Sequence, residues 1–353
     1  MTRRELLELL AAGPALLGAA ALAPGADDRR ERMGVCVHSC GIHQSAGRAN
    51  NPKAAFKDPP GFHDYCHKLG AAGVQVGLGR LTPDESAKFR TQAEARGMYV
   101  EGIVGLPRRE ADLDRFEAEV RTTRECGADV ARSVLLGTRR YETFTSAEEF
   151  RQFTEQSRKS LALAEPVLRK HRLRLGVENH KDNRVPELVE HLKRLSSEYV
   201  GVCVDTGNSI ALLEDPTGVV EALAPWAVTT HFKDMAVQEY ANGFLLSEVI
   251  LGDGFLDLPK IVETLRKAAP RVRFNLEMIT RDPLKVPCLT EKYWATFEAV
   301  PGRDLARMLR LVRAKAAKQP LPRLTGLSPD ERLKVEDDNN RKCLQYARER
   351  LGL

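Results

Sequence analysis

Residues 173–178 read Leu-Arg-Leu-Gly-Val-Glu, and residues 200–205 read Val-Gly-Val-Cys-Val-Asp. Each keeps Leu or Val on one parity and ends on an acid on the other. Side chains alternate between the two faces of a strand. One face therefore carries Leu173, Leu175 and Val177, then Val200, Val202 and Val204; the opposite face carries Arg174, Gly176 and Glu178, then Gly201, Cys203 and Asp205. Two later runs repeat the design. Trp226–Phe232 sets Trp226 and Val228 against Ala227, Thr229 and His231, and Val272–Met278 sets Val272, Phe274 and Leu276 against Arg273, Asn275 and Glu277. Such strands pack their apolar face on helices and turn a small, polar face inward.

Working outward, four further runs precede these: Met33–His38, Val74–Leu78, Tyr99–Gly105 and Val130–Gly137. Helical patterns fall between and after the strands, at His63–Ala72, Pro83–Arg96, Arg109–Cys126, Ser146–His171, Pro186–Ser197, Pro216–Leu223, Leu258–Ala268 and Arg303–Ala317. Thr82-Pro83, Asp215-Pro216 and Asp257 place capping oxygens at helix starts. Strict β/α alternation demands parallel strands with crossover helices, and eight such units close a (β/α)8 barrel, the fold class expected here. An open doubly wound sheet lacks support, since no GxGxxG follows the first strand.

The barrel is expected over residues 27–318. Residues 1–26 read as a signal: Arg3-Arg4 with Leu6-Leu7, then an apolar run from Leu9 to Ala23, match a bacterial twin-arginine pattern. That predicts an exported, periplasmic protein, cytoplasmic only if the segment is not a signal, with no stable membrane insertion after its removal. Residues 319–353 form a charged extension with one amphipathic helix near Asp330–Leu351, set against the outside of the barrel. The 353 residues hold 54 Lys+Arg against 49 Asp+Glu, a net +5 too thinly spread to argue for nucleic acid. Seven cysteines, odd in number and without a CxxC pair, exclude a disulfide framework or zinc ribbon.

Glu178, Asp205, His231 and Glu277 end four consecutive strands, 27, 26 and 46 residues apart. In a closed barrel these ends converge on the rim where barrel active sites lie. Three carboxylates in one place repel, and a single divalent cation held by three oxygens and one imidazole resolves the conflict. Ligation rich in oxygen and free of thiolate favours Mn²⁺ or Mg²⁺, with Co²⁺ and Zn²⁺ as alternatives.

The segments Val177-Glu178-Asn179-His180, Val204-Asp205-Thr206-Gly207-Asn208, His231-Phe232-Lys233-Asp234 and Leu276-Glu277-Met278 resemble the xylose isomerase-like TIM-barrel superfamily, and within it the sugar phosphate isomerase/epimerase family. The resemblance spans residues 33–317. It implies metal ligands at Glu178, Asp205, His231 and Glu277, and acid/base roles for Glu178 and Glu277. Asn208 stands where ketose 3-epimerases usually carry His, and Lys233-Asp234 where they carry Arg. The implied reaction is isomerisation or epimerisation of a small carbohydrate: a metal holding a carbonyl and its neighbouring hydroxyl acidifies the C–H between them, and proton transfer runs through an enediolate. A lyase or dehydratase of keto-sugars or 3-keto-glycosides on the same site, and a non-catalytic sugar-binding barrel, are the alternatives. An apurinic-site endonuclease fits poorly, because the second and third strands exit on Gly79 and Gly105.

His180, Lys233, Asn208, His38 and Arg140 are the candidate substrate contacts, with a rim salt bridge to Asp234 as the other reading of Lys233. The remaining histidines, His191 among them, read as surface or packing residues. The long segment from Thr280 to Gly302 reads as a lid or dimer contact in a possible homo-oligomer, and Gly252-Asp253-Gly254 as a turn.

Overall fold

The computed structural model describes residues 32–79 and 81–353, so the segment read as an export signal lies outside the described residues. The alternating strands close as their parity requires. β1 (Gly34–Cys36), β2 (Gly73–Val76), β3 (Tyr99–Ile103), β4 (Val130–Ser133), β5 (Arg174–Glu178), β6 (Val200–Asp205) and β7 (Ala227–Phe232) run parallel in sequence order. A hairpin follows, β8 (Asp234–Tyr240) and β9 (Gly243–Val249), and then the eighth barrel strand, β10 (Phe274–Leu276), which pairs with β7 on one side and β1 on the other. The register sets Asp205 beside His231 and His231 beside Asn275, so the polar strand ends share one rim.

The apolar parity faces outward, and Leu173, Leu175, Val177, Val200, Val202, Val204, Phe274 and Leu276 are all buried under the helical layer. The helices follow the expected pattern with shifted ends. That after β4 spans Ala147–His171 with Ser146 accepting from Glu149 N, and that before β3 spans Pro83–Ala95 with a complete Thr82/Glu85 capping box. The helix before β2 begins at Pro59 rather than His63, and an unanticipated helix, Gly41–Arg48, precedes it. All seven cysteines are buried and unbonded. Among the described residues no helix is long and apolar enough to cross a membrane.

One region differs from expectation. The stretch between β7 and β10 is not a plain loop. Its hairpin pairs with β11 (Leu284–Val286), and this small antiparallel sheet builds a second core with the helix Gly302–Ala314, joining Val237, Phe244, Leu246 and Val286 to Met308 and Val312. The segment from Thr280 to Gly302 is part of that core: Val286, Cys288 and Tyr293 are buried, and the Tyr293 hydroxyl donates to Ala211 O at 2.8 Å. Gly252-Asp253-Gly254 is indeed a turn, built on Asp234, whose carboxylate accepts from Gly252 N, Gly254 N and Leu256 N. A Cβ on Gly254 would meet Asp234 Oδ1 at 2.1 Å, so the turn needs glycine there. The C-terminal extension follows expectation: its helix Pro329–Tyr346 packs on the barrel and sends Cys343 and Leu344 into the main core.

His191 lies within the helix Val185–Leu195, buried, with neither ring nitrogen hydrogen-bonded. Burial lowers its pKa to about 4, so the fold favours the neutral ring. Stability from this residue is complete above the unfolded value near 6.5 and is lost as pH falls toward 4, by up to about 3 kcal/mol. His191→Leu is therefore expected to flatten the fall in stability between pH 6.5 and 4, measured by urea unfolding at both ends. An unchanged slope would show that this ring is not among the groups driving acid unfolding.

Candidate metal centre and active site

Glu178 closes β5, Asp205 closes β6, His231 is the penultimate residue of β7, and Glu277 follows β10 directly. One donor atom from each lies within 4.8 Å of the other three, and all four residues are buried. His231 Nδ1 stands at the centre, 3.1 Å from Glu277 Oε1, 3.3 Å from Glu178 Oε2 and 3.9 Å from Asp205 Oδ2. Nδ1 has no hydrogen-bond partner. The other ring nitrogen is engaged: Nε2 lies 2.6 Å from Gln75 Oε1. Gln75 is oriented in turn, because its amide nitrogen donates to Glu101 Oε2 at 3.1 Å, and Glu101 also accepts from Thr229 and Asn275. Carboxylate, amide and imidazole thus form a chain that keeps the proton on Nε2 and presents the Nδ1 lone pair to the cluster.

The electrostatics favour a cation at the same point. Burial opposes a charged His231, but the surrounding Cys203, Glu277 and Glu178 raise its pKa well above the ordinary histidine range. Positive charge is preferred where Nδ1 meets the carboxylates, and a proton or a divalent ion can supply it. Three oxygens and one imidazole suit a hard or borderline divalent ion. Gln75→Leu, which frees the Nε2 end of the ring, is expected to weaken metal binding about 10–100-fold. Competition with a chelating dye measures this, and an unaltered affinity would refute the orienting chain.

Cations surround the cluster. Arg132, on β4, donates from Nε to Glu178 Oε2 at 2.7 Å and also through Nη2. Burial pushes the Glu178 carboxyl up, but Arg132 and His231 outweigh it and hold it well below the usual range. Glu277 is held down likewise, by His231 and Lys233 against burial. Lys233 Nζ bridges Glu277 Oε2 and Asp205 Oδ2, the latter at 2.7 Å. Asn208 donates to Glu178 Oε1 at 2.8 Å and accepts from Lys181 Nζ. Burial, with Lys233 and Arg281 nearby, lowers Lys181 to about 8. Arg281 pairs with the buried Glu248 of β9, so the added sheet contributes to the site wall.

Of the residues singled out from sequence, the structure brings Glu178, Asp205, His231, Glu277, Lys233 and Asn208 together. His38 joins them, its ring edge-on to His231 at 6.3 Å between centroids, with Nε2 unpartnered. His180 is close enough to feel Lys181, Glu178 and Arg132, and its Nδ1 is also unpartnered. Lys233 turns inward and makes no rim bridge with Asp234. Arg140 is a correction. Its guanidinium is buried, sandwiched between Phe150 and Phe297 at 3.4 and 4.2 Å from the ring centroids, and bonded to Glu187 and Thr296. It fastens the segment around Thr296 to the barrel, and the guanidinium that reaches the cluster is Arg132. Arg132, Gln75, Glu101, Lys181 and Arg281 are absent from the sequence reading; Arg132 stands on the inner parity of its strand, which was the available signal.

The profile of the xylose isomerase-like TIM barrel family matches residues 63–310. A 3-oxo-isoapionate decarboxylase of Pectobacterium atrosepticum is 31% identical over 171 residues, 42% of this chain and 62% of that protein, so the match spans under two thirds of the relative's length. Among solved structures, a xylose isomerase-like TIM barrel protein from Mycobacterium smegmatis in complex with magnesium aligns over 79% of this chain and 97% of its own, with TM-score 0.52 and 14% identity. A D-psicose 3-epimerase in the presence of D-fructose aligns over 83% and 94%, with TM-score 0.54 and 15% identity. At these identities the structural likeness is one of fold.

Proposed function

Since the chain belongs to the xylose isomerase-like TIM barrel family, we propose that it is a divalent-metal-dependent enzyme acting on a small sugar-derived carbonyl compound that carries a carboxylate, and that it releases CO₂ from it. The observation that carries this reading is the charge around the cluster. Glu178, Asp205, Glu277 and Glu248 face Arg132, Lys181, Lys233 and Arg281, four against four, with Asp182 pushed up to about 7 by burial. With Asp182 about half ionised near neutrality, a divalent ion then leaves a net excess of between one and two positive charges in a site shielded from water. A neutral sugar gives that excess no partner, whereas a sugar acid does. The partial likeness to a decarboxylase of a 3-oxo sugar acid supports the same substrate class.

Glu178, Asp205, His231 and Glu277 would hold the ion, which when bound polarises a carbonyl oxygen and stabilises negative charge on it. This chain's residues supply the rest. Arg132 and Lys233 hold the anionic substrate against the cluster. In a β-keto acid the bond between the α-carbon and the carboxylate breaks, its electron pair forms the enolate, and CO₂ leaves. The carbon then takes a proton. Lys181, lowered to about 8 and placed beside Glu178 through Asn208, is the cation whose proton is loosest near neutrality.

Isomerisation or epimerisation is the second reading, favoured by two glutamates kept ionised at the same site and able to accept a proton from a C–H bond. Incubation with metal in D₂O separates the two. CO₂ from a 3-oxo sugar acid with one deuterium gained at the product carbon is the expected result. Solvent exchange into ketoses without CO₂ from any such acid would replace this reading with the second, and full activity in metal-stripped protein would defeat both.

A further inference from the structure

The rim of this barrel is built asymmetrically. β5, β6, β7 and β10 exit on the cluster residues, whereas glycines follow three of the other four strands: Gly77 and Gly79 after β2, Gly105 after β3 and Gly137 beyond β4. On that side a cleft of about 1260 Å³ opens, and Arg132, the residue bonded to Glu178, forms part of its wall. From Arg132 it runs outward over the exits of β3 and β4, toward the helices Leu113–Glu125 and Ala147–His171. Its volume exceeds the roughly 300–1,000 Å³ of ordinary small-ligand sites. Glu178, Asp205, His231 and Glu277 do not line the cleft and Arg132 joins it to them, so one sugar ring at the cluster leaves it empty.

The outer part of the cleft carries an apolar strip, flanked by polar residues that include Arg108, Thr143 and Gln152. Phe144 and Phe153, with ring centroids 5.3 Å apart, are half-buried, as are Leu106 and Leu135. Several polar side chains there already have partners: Gln156 donates to Arg108 O, Thr145 pairs with Glu149, and Arg115 pairs with Glu119. With those groups engaged, Phe144, Phe153, Leu106 and Leu135 supply the apolar faces of the wall. We propose that the cleft is an aglycone subsite: the sugar reacting at the cluster carries a linked aromatic or otherwise apolar group, which lies along Phe144 and Phe153. This rests on the reading of the cluster as a sugar-acid site and specifies its substrate further.

The test uses the metal-loaded full chain and unreactive acids that differ only in the linked group. Phenyl β-D-glucuronide is expected to bind at least about 10-fold more tightly than methyl β-D-glucuronide by calorimetry. Gly137 offers a way to fill the cleft, since a Cβ there meets no atom within 4 Å and its φ is not in the left-handed region. Gly137→Phe is expected to erase the phenyl advantage and leave the methyl compound's affinity within about twofold. Equal affinities in the parent protein, including no measurable binding of either compound, would overturn the subsite. So would a glucosyl-glucuronic acid disaccharide that gains as much as the phenyl compound, since it would show a sugar subsite instead. The readout is binding, so absence of CO₂ release would defeat the decarboxylase reading and leave this result standing.

Discussion

His231→Ala is expected to lower turnover by at least about 10³-fold and to leave well under one ion per chain after dialysis. The imidazole is the only cluster ligand that is not a carboxylate, and its Nδ1 is the point nearest to all three acids, at 3.1, 3.3 and 3.9 Å. Removing it takes away one of four donors. It also strands Gln75 Oε1, which has been oriented by Glu101 for this one contact. Charge stabilisation by a bound ion is worth several kcal/mol in a transition state, and about 4 kcal/mol is a factor of 10³. Glu277→Gln provides the contrast. The amide keeps the volume and a ligating oxygen, so excess metal should refill the site. Under decarboxylation that refilling restores much of the turnover; under epimerisation the loss persists, because the proton acceptor is gone. Metal content by elemental analysis and kcat over a metal titration measure both variants. A His231→Ala protein that keeps a full equivalent of metal and its normal kcat would sink the assignment of this cluster.

The same residues show what a linear sequence can and cannot display. Glu178, Asp205, His231 and Glu277 were legible because barrel closure turns a local feature, the parity of a strand's last polar residue, into convergence on one rim. Asn208 and Lys233 were legible because they follow ligands by two or three residues. Lys181 offered the same signal, three residues after Glu178, but its partner Asn208 lies 27 residues away, and Arg132 meets Glu178 46 residues away. No periodicity marks such pairs. Gln75 and Glu101 sit inside the barrel on strands whose pattern said only that they are strands. Arg140 misled for the converse reason. It follows β4 closely, yet two aromatic rings and Glu187 draw its side chain to another part of the structure. The hairpin β8–β9 did leave a signal, Asn242-Gly243 between two strand-like runs, a turn dipeptide that favours tight hairpins. Read as a long connection, it hid the sheet that supplies Glu248 to the site wall.

The second large effect is expected from the C-terminal extension. A chain ending at residue 318 should lose cooperative unfolding or precipitate, although it retains every barrel strand and every cluster residue. Leu344, Leu351 and Leu353 lie in the main core together with Cys343 and Ala347. At about 1.5–3 kcal/mol per buried leucine, the three leucines alone contribute about 5–9 kcal/mol, comparable to the roughly 5–15 kcal/mol of total stability in a typical domain. Polar connections add to this. The helix Gly41–Arg48 has no side-chain cap of its own, and Glu336 supplies one from the extension by accepting from Ile42 N at 2.8 Å and His43 N at 2.9 Å. Asn340 donates to Ser39 O, while the Ser39 hydroxyl donates to Leu276 O and accepts from Met278 N, on either side of Glu277. The extension thus braces the β1 exit that carries His38 and, through Ser39, the strand end that carries Glu277. Asn340→Ala separates bracing from packing, since it removes this contact and leaves the leucines in place. It is expected to shift the melting temperature by only a few degrees yet weaken metal binding measurably. A truncated protein that melts within a few degrees of the full chain would mean that the barrel closes without its extension.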